Sequence, residues 1–154
     1  MTTPGTDQQS GSGRIVVGID GSVSSEEALR WAIGQARLTG QPVEALTSWR
    51  IPVDYGMGGA GVITAYDWEG VATKTLSETV AHVLGSADGA EVTQRAVMGH
   101  PAQVLLDAAE DAALLVVGSR GRGGFTGMLL GSVSQHVVAR AACPVVVVRA
   151  AESE

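Results

Sequence analysis

Apolar residues gather in five short runs: Ile15–Ile19, Val43–Trp49, Glu91–Val97, Leu114–Val117 and Val145–Val148. The fourth and fifth are continuous, as expected of strands buried on both faces. The third alternates less cleanly and reads as a strand at or near an edge. Between the runs the apolar spacing becomes helical. Ser24-Ser25-Glu26-Glu27 reads as a capping box with Ser24 as cap, followed by Ala28, Leu29, Ala32, Ile33 and Ala36 on one face, and Gly40 ends that helix. A second helix spans about Trp68 to Leu84, with Ala72, Leu76, Val80 and Leu84 on one stripe. A third starts at Pro101 and buries Val104, Leu105 and Ala108. A fourth starts at Ser132, which reads as a cap paired with Gln135, and buries Val133, Val137 and Val138. Strand and helix alternate throughout, which predicts a doubly wound parallel sheet with helices on both faces. Such sheets bind ligands beyond the carboxyl ends of their strands, here Asp20, Trp49, Gly99 and Gly118.

Composition narrows the classes. The 154 residues fit one domain, and 45% hydrophobic content against 17% charged supplies a core. Residues Thr2 to Gly13 are rich in Thr, Gly, Ser and Gln and read as a disordered tail, leaving a domain over 14–150. The net charge of −6 argues against nucleic acid, which needs clustered Lys and Arg. No apolar stretch reaches the ~18–20 residues of a membrane span. The N-terminus has no charged segment leading into an apolar one, so no secretory leader is expected and the cytoplasm is the default compartment. Cys143 has no partner for a disulfide or a cysteine-based zinc site and reads as a small buried hydrophobe. The segment Arg50 to Asp67 carries four glycines and reads either as a lid or as a plain surface loop.

The richest chemistry follows the fourth strand, over Gly118 to Ser132. Here Gly118, two residues, Gly121, nine residues and then Gly131-Ser132 suit a phosphate cradle. Glycines let backbone N–H groups converge on an anion, through positive φ angles or close approach. The helix opening at Ser132 adds free N–H groups and a favourable dipole. The Ser132 hydroxyl suits either a phosphate oxygen or the helix cap. Glycine is frequent, 21 of 154 residues, so the spacing gains its meaning from lying between a buried strand and a helix start. The alternative is a glycine-rich turn with no ligand. There is no Gly-Lys-Ser/Thr, which excludes the ordinary P-loop, and too few glycines follow the first strand for a dinucleotide fingerprint.

Three segments carry a resemblance to the universal stress proteins, in their ATP-binding subgroup. They are Val16-Val17-Gly18-Ile19-Asp20-Gly21-Ser22, Val116 to Gly121 with Gly131-Ser132-Val133-Ser134, and Cys143-Pro144-Val145-Val146-Val147-Val148. The resemblance spans about Arg14 to Arg149. It implies five parallel strands ordered 3-2-1-4-5, an adenine nucleotide alpha hydrolase-like fold. It further implies homodimers paired through Pro144 to Arg149 and a cleft for ATP, with or without Mg²⁺, or for another adenine nucleotide such as cyclic AMP. By the same resemblance Asp20 approaches the adenosine after Gly18, and Ile19 and Trp49 wall the adenine. Val117, Gly118, Arg120, Gly121, Gly131, Ser132, Val133 and Ser134 hold ribose and phosphates. Trp49 stands where relatives have a smaller residue, so its indole either stacks on the base or fills the pocket. Arg120 and Arg122 read either as neutralising a triphosphate or as solvated loop residues.

Catalysis is not legible. Ser119 and Ser132 have no histidine in a motif with them, and His82, His100 and His136 are scattered, His100 as a candidate cap of the third helix. Asp20 is the one candidate Mg²⁺ ligand, and Asp-Gly-Ser is also good turn chemistry. Three readings stand: a nucleotide-binding regulator, a slow ATPase or nucleotide-transferring enzyme, and a dimeric scaffold without nucleotide.

Overall fold

The computed structural model describes residues 13–52, 66–85, 91–121 and 129–150. The order is β1 (Ile15–Gly18), α1 (Val23–Thr39), β2 (Val43–Trp49), α2 (Trp68–Leu84), β3 (Val92–Met98), α3 (Pro101–Ala109), β4 (Leu114–Gly118), α4 (Ser132–Arg140) and β5 (Val145–Val148). All five strands are parallel, in the order β3-β2-β1-β4-β5. The doubly wound sheet read from the sequence is therefore present, with the implied strand order.

β1 is continuous in its apolar residues because both its faces are covered. Ile15 and Val17 join Ala28, Leu29, Ala32 and Ile33 of α1 and Leu76 and Val80 of α2 in one core. Val16 turns the other way, toward Val104, Leu105 and Ala108 of α3 and Val137 of α4. Each fully buried Val, Leu or Ile side chain among them contributes about 1.5–3 kcal/mol of transfer free energy. β3 is an edge strand, and Thr93, Gln94 and Arg95 stay exposed there.

Several local readings shift. The cap of α1 is Ser22, whose side chain accepts from the Ser25 N–H, and Ser24 lies inside the helix. Gly21, at φ 86°, swings the chain out of β1 and so moves the helix start forward by two residues. Gly40 ends α1 as expected, in the left-handed conformation at φ 80°. α4 is capped by the Gly131 position without a side-chain bond, because Gln135 donates to the Leu130 carbonyl instead of closing a box with Ser132. Val138 is exposed, since α4 covers the margin of the sheet and presents only Val137 fully to the core. His100 sits at the cap position of α3 with no side-chain cap bond. Cys143 is half-buried beside the α3/α4 core, and burial pushes its thiol pKa up, which disfavours the nucleophilic thiolate. The tail read over Thr2–Gly13 falls outside the described residues except for Gly13, which is buried, and most of the Arg50–Asp67 segment falls outside them as well.

Candidate functional site

β1 and β4 are neighbours, but their helices leave to opposite faces, so a crevice opens where the two strands end. A cavity of about 640 Å³ occupies it. Its floor is set by Gly18, which pairs with Leu46 of β2. The chain leaves β1 through Ile19 and Asp20 in a hydrogen-bonded turn. Asp20 Oδ1 accepts from the Ser22 N–H at 2.9 Å, and the Asp20 N–H donates to Ser25 Oγ at 3.3 Å. The turn reading of Asp-Gly-Ser thus holds, while the carboxylate still lines the cavity.

On the β4 side the chain turns out at Ser119, which is buried. Its N–H donates to the Val148 carbonyl at 2.8 Å, and its carbonyl accepts from the Gly131 N–H at 2.7 Å. The Ser134 hydroxyl donates to the Gly118 carbonyl at 2.6 Å. Both ends of the glycine stretch are therefore pinned, and Ser134 spends its hydroxyl on the backbone. Ser132, the first residue of α4, is exposed and lines the cavity.

The glycines serve close approach. Gly118, Gly121 and Gly131 are absent from the positive-φ glycines among the described residues. A Cβ at Gly118 would lie 2.5 Å from Ser24 Oγ and 2.7 Å from the Ser24 carbonyl carbon, so this glycine admits α1 against the end of β4. A Cβ at Gly121 would lie 2.6 Å from Asp20 Oδ2, so here the loop and the β1 turn meet across the cleft. Gly131 is roomier, with its nearest backbone neighbour at 3.4 Å.

Of the residues singled out from the sequence, Gly18, Ile19, Asp20, Val117, Gly118, Arg120, Gly121, Gly131, Ser132, Val133 and Ser134 all line the cavity. Arg122 lies outside the described residues. Trp49 does not line the cavity. The lining of β2 stops at Ser48, and Trp49, the last residue of the strand, pairs with Met98 of β3. Its indole nitrogen is buried and finds no hydrogen-bond partner.

The sequence reading missed the far end of the cavity. Leu46, Thr47 and Ser48 of β2, Ala72 and Thr75 of α2, and Pro101, Val104 and Leu105 of α3 form an apolar wall with a few hydroxyls. Two signals pointed that way: Thr47 and Ser48 adjoin a strand end, and Pro101 opens a helix at the ligand edge. The cavity therefore has two chemically distinct ends. A backbone-rich end by β4 and α4 carries Arg120, and an apolar end lies by β2, α2 and α3. Asp20 is the one carboxylate among the described lining residues, which include no histidine. The described residues contain no group of three or more His, Cys, Asp or Glu that could hold a metal ion, and no described helix is long and apolar enough to cross a membrane.

Comparison with known proteins matches residues 11–149 to the universal stress protein family. A universal stress protein of Mycolicibacterium smegmatis is 41% identical over 135 residues, covering 88% of this chain and 45% of that protein. The chain thus spans a little under half the length of the curated relatives it matches. Among solved structures, the universal stress protein UspA from Lactobacillus plantarum aligns with a TM-score of 0.77 at 21% identity, covering 90% of this chain and 98% of that one. A universal stress protein in complex with cAMP aligns at 0.60 and 28% identity, covering 91% and 98%. The universal stress protein from Archaeoglobus fulgidus in complex with dAMP aligns at 0.54 and 26% identity, covering 88% and 97%. With nearly its whole described length matched in sequence and in fold, the chain belongs to the universal stress protein family.

Proposed function

We propose that this chain binds an adenine nucleotide across the ends of β2, β1 and β4 and acts as a nucleotide-responsive regulator of the stress response. The observation that carries this reading is the division of the cavity. The phosphates lie against the Ser119–Gly121 backbone, Arg120 and the first turn of α4, where the free N–H groups of the helix start and the helix dipole favour an anion. The base lies at the apolar end, and the sugar crosses Asp20. The relatives solved with cAMP and with dAMP support this class of ligand.

ATP is the ligand proposed. Asp20 would then hold Mg²⁺ as one carboxylate alongside the phosphates, in keeping with how that ion is commonly bound. A cyclic nucleotide is the second reading, favoured by the relative bound to cAMP. The described lining offers no histidine base, which favours holding the nucleotide over breaking it. The protein works as a homodimer joined along β5, whose four valines lie at the open edge of the sheet.

Denaturing the purified protein and identifying the released small molecule tests the class of ligand, and calorimetric titration with ATP and with cyclic AMP tests uptake. An adenine nucleotide is expected. No released nucleotide and no uptake of either would leave the scaffold reading. Gly131→Ala should bind almost normally, since its methyl meets only ordinary contacts, whereas the branched side chain of Gly131→Val should block the phosphate end. Unchanged affinity in Gly131→Val would show that the phosphates lie elsewhere.

A further inference from the structure

Ser24 is a buried polar residue at the second position of α1. Its hydroxyl donates to the carbonyl of Val148, the last residue of β5, at 3.4 Å. It also accepts from the backbone N–H of Arg120, on the wall of the cleft, at 3.5 Å. One residue earlier, the Ser119 N–H donates to the same Val148 carbonyl at 2.8 Å. The start of α1, the loop that walls the cleft and the end of β5 therefore meet around one hydroxyl, with Gly118 pressed against it. β5 is an edge strand, so this joint connects the cleft to the open side of the sheet.

We propose that Ser24 is a positioning residue through which filling the cleft strengthens the pairing of a second copy along β5, and the reverse. The inference rests on the nucleotide-binding, β5-paired reading given above. Both Ser24 hydrogen bonds lie near the outer limit of hydrogen-bonding distance, so the joint has slack. A ligand that fixes the backbone at Arg120 also fixes the N–H that donates to the Ser24 hydroxyl, and through that hydroxyl the Val148 carbonyl at the end of β5. Pairing along β5 fixes the same strand from its open side. Whichever event comes first removes part of the ordering cost of the other, and the coupling is reciprocal. The Ser119–Val148 bond does not involve the hydroxyl, and alanine is well tolerated in helices. Ser24→Ala is therefore expected to fold and to retain both events while uncoupling them.

The test measures the dimer constant of the full chain by sedimentation, with and without saturating nucleotide, and nucleotide affinity by calorimetry. ATP and cyclic AMP serve as probes. In the wild-type chain, nucleotide should tighten the dimer by at least about fivefold, a usual size for such coupling. In Ser24→Ala the factor should fall below about twofold, and in Ser24→Cys, with its weaker S–H donor, it should be intermediate. A structural role alone would shift each affinity but leave this ratio unchanged. Wild-type protein that binds nucleotide and dimerises with no coupling overturns the inference alone. So does a wild-type ratio in either variant. No nucleotide uptake, or no dimer, overturns the functional reading and the inference with it, and the two instruments detect those failures separately.

Discussion

At the residue scale, two glycines at the exit of β4 are required for different reasons, and the difference is measurable. Gly118 makes room for α1, and its nearest neighbours include the Ser24 backbone, which cannot swing aside. Gly118→Ala should cost about 1–3 kcal/mol by overpacking, seen as a lowered melting temperature, and a second change of Ser24→Ala should restore only part of it. Gly121 faces the Asp20 carboxylate, whose side chain can rotate away. Gly121→Ala should leave the melting temperature nearly unchanged but weaken nucleotide binding by about tenfold, equivalent to 1.4 kcal/mol, as Asp20 leaves its turn. Equal effects of the two changes on the melt would refute this division. The spacing of these glycines was legible in the sequence. Their tasks were not, because Ser24 and Asp20 approach them from across the fold. The place of Trp49 is also set by contacts far apart in the sequence. That it ends a strand can be read directly, whereas its absence from the lining, next to Ser48 which joins it, depends on tertiary packing.

At the scale of elements, strand runs and helix stripes were readable almost to the residue, since burial on one or two faces writes itself into periodicity. Helix starts were less readable. Five residues around the start of α1, Ser22, Ser24, Ser25, Glu26 and Glu27, contain more than one cap-like arrangement, and the left-handed Gly21 decides between them. Ser22→Ala should therefore lose the α1 cap and cost about 1 kcal/mol, read as a drop in the urea midpoint, with an unchanged slope. A midpoint equal to wild type would mean that the cap contributes nothing. The apolar end of the cavity escaped the sequence reading because α2, β2 and α3 each supply only two or three residues to it, with no common spacing.

At the scale of the molecule, one cluster of ion pairs sits at the end of the sheet opposite the cleft. Arg14, just before β1, pairs with Glu44 of β2 at 3.1 Å and with Asp111 after α3 at 2.8 Å, and Arg95 of β3 reaches Glu44 at 3.3 Å. The hydrogen bond and charge of Arg14 hold the Asp111 carboxyl below its ordinary pKa. A lowered folded value means that the unfolded chain takes up this proton first. The stabilisation is complete above the ordinary carboxyl pKa of about 3.9 and disappears as the pH falls through the lowered value. Asp111→Asn should thus be slightly less stable than wild type in urea at pH 7, with the gap narrowing as the pH falls below the ordinary carboxyl value. A gap that does not change with pH would assign the effect to something other than charge. The strand order has a consequence for the chain as it is made. β1 is synthesised first, yet it is central and needs β4 beside it, and Leu114 follows about 5–20 s after Ile15 at 5–20 residues per second. During that interval the half built from β1 to β3 can form its own sheet with Ile15-Val16-Val17 along one unpaired margin, and an open aliphatic margin recruits other strands. The nascent protein is most in need of a chaperone there, in the seconds before its second half closes over the first.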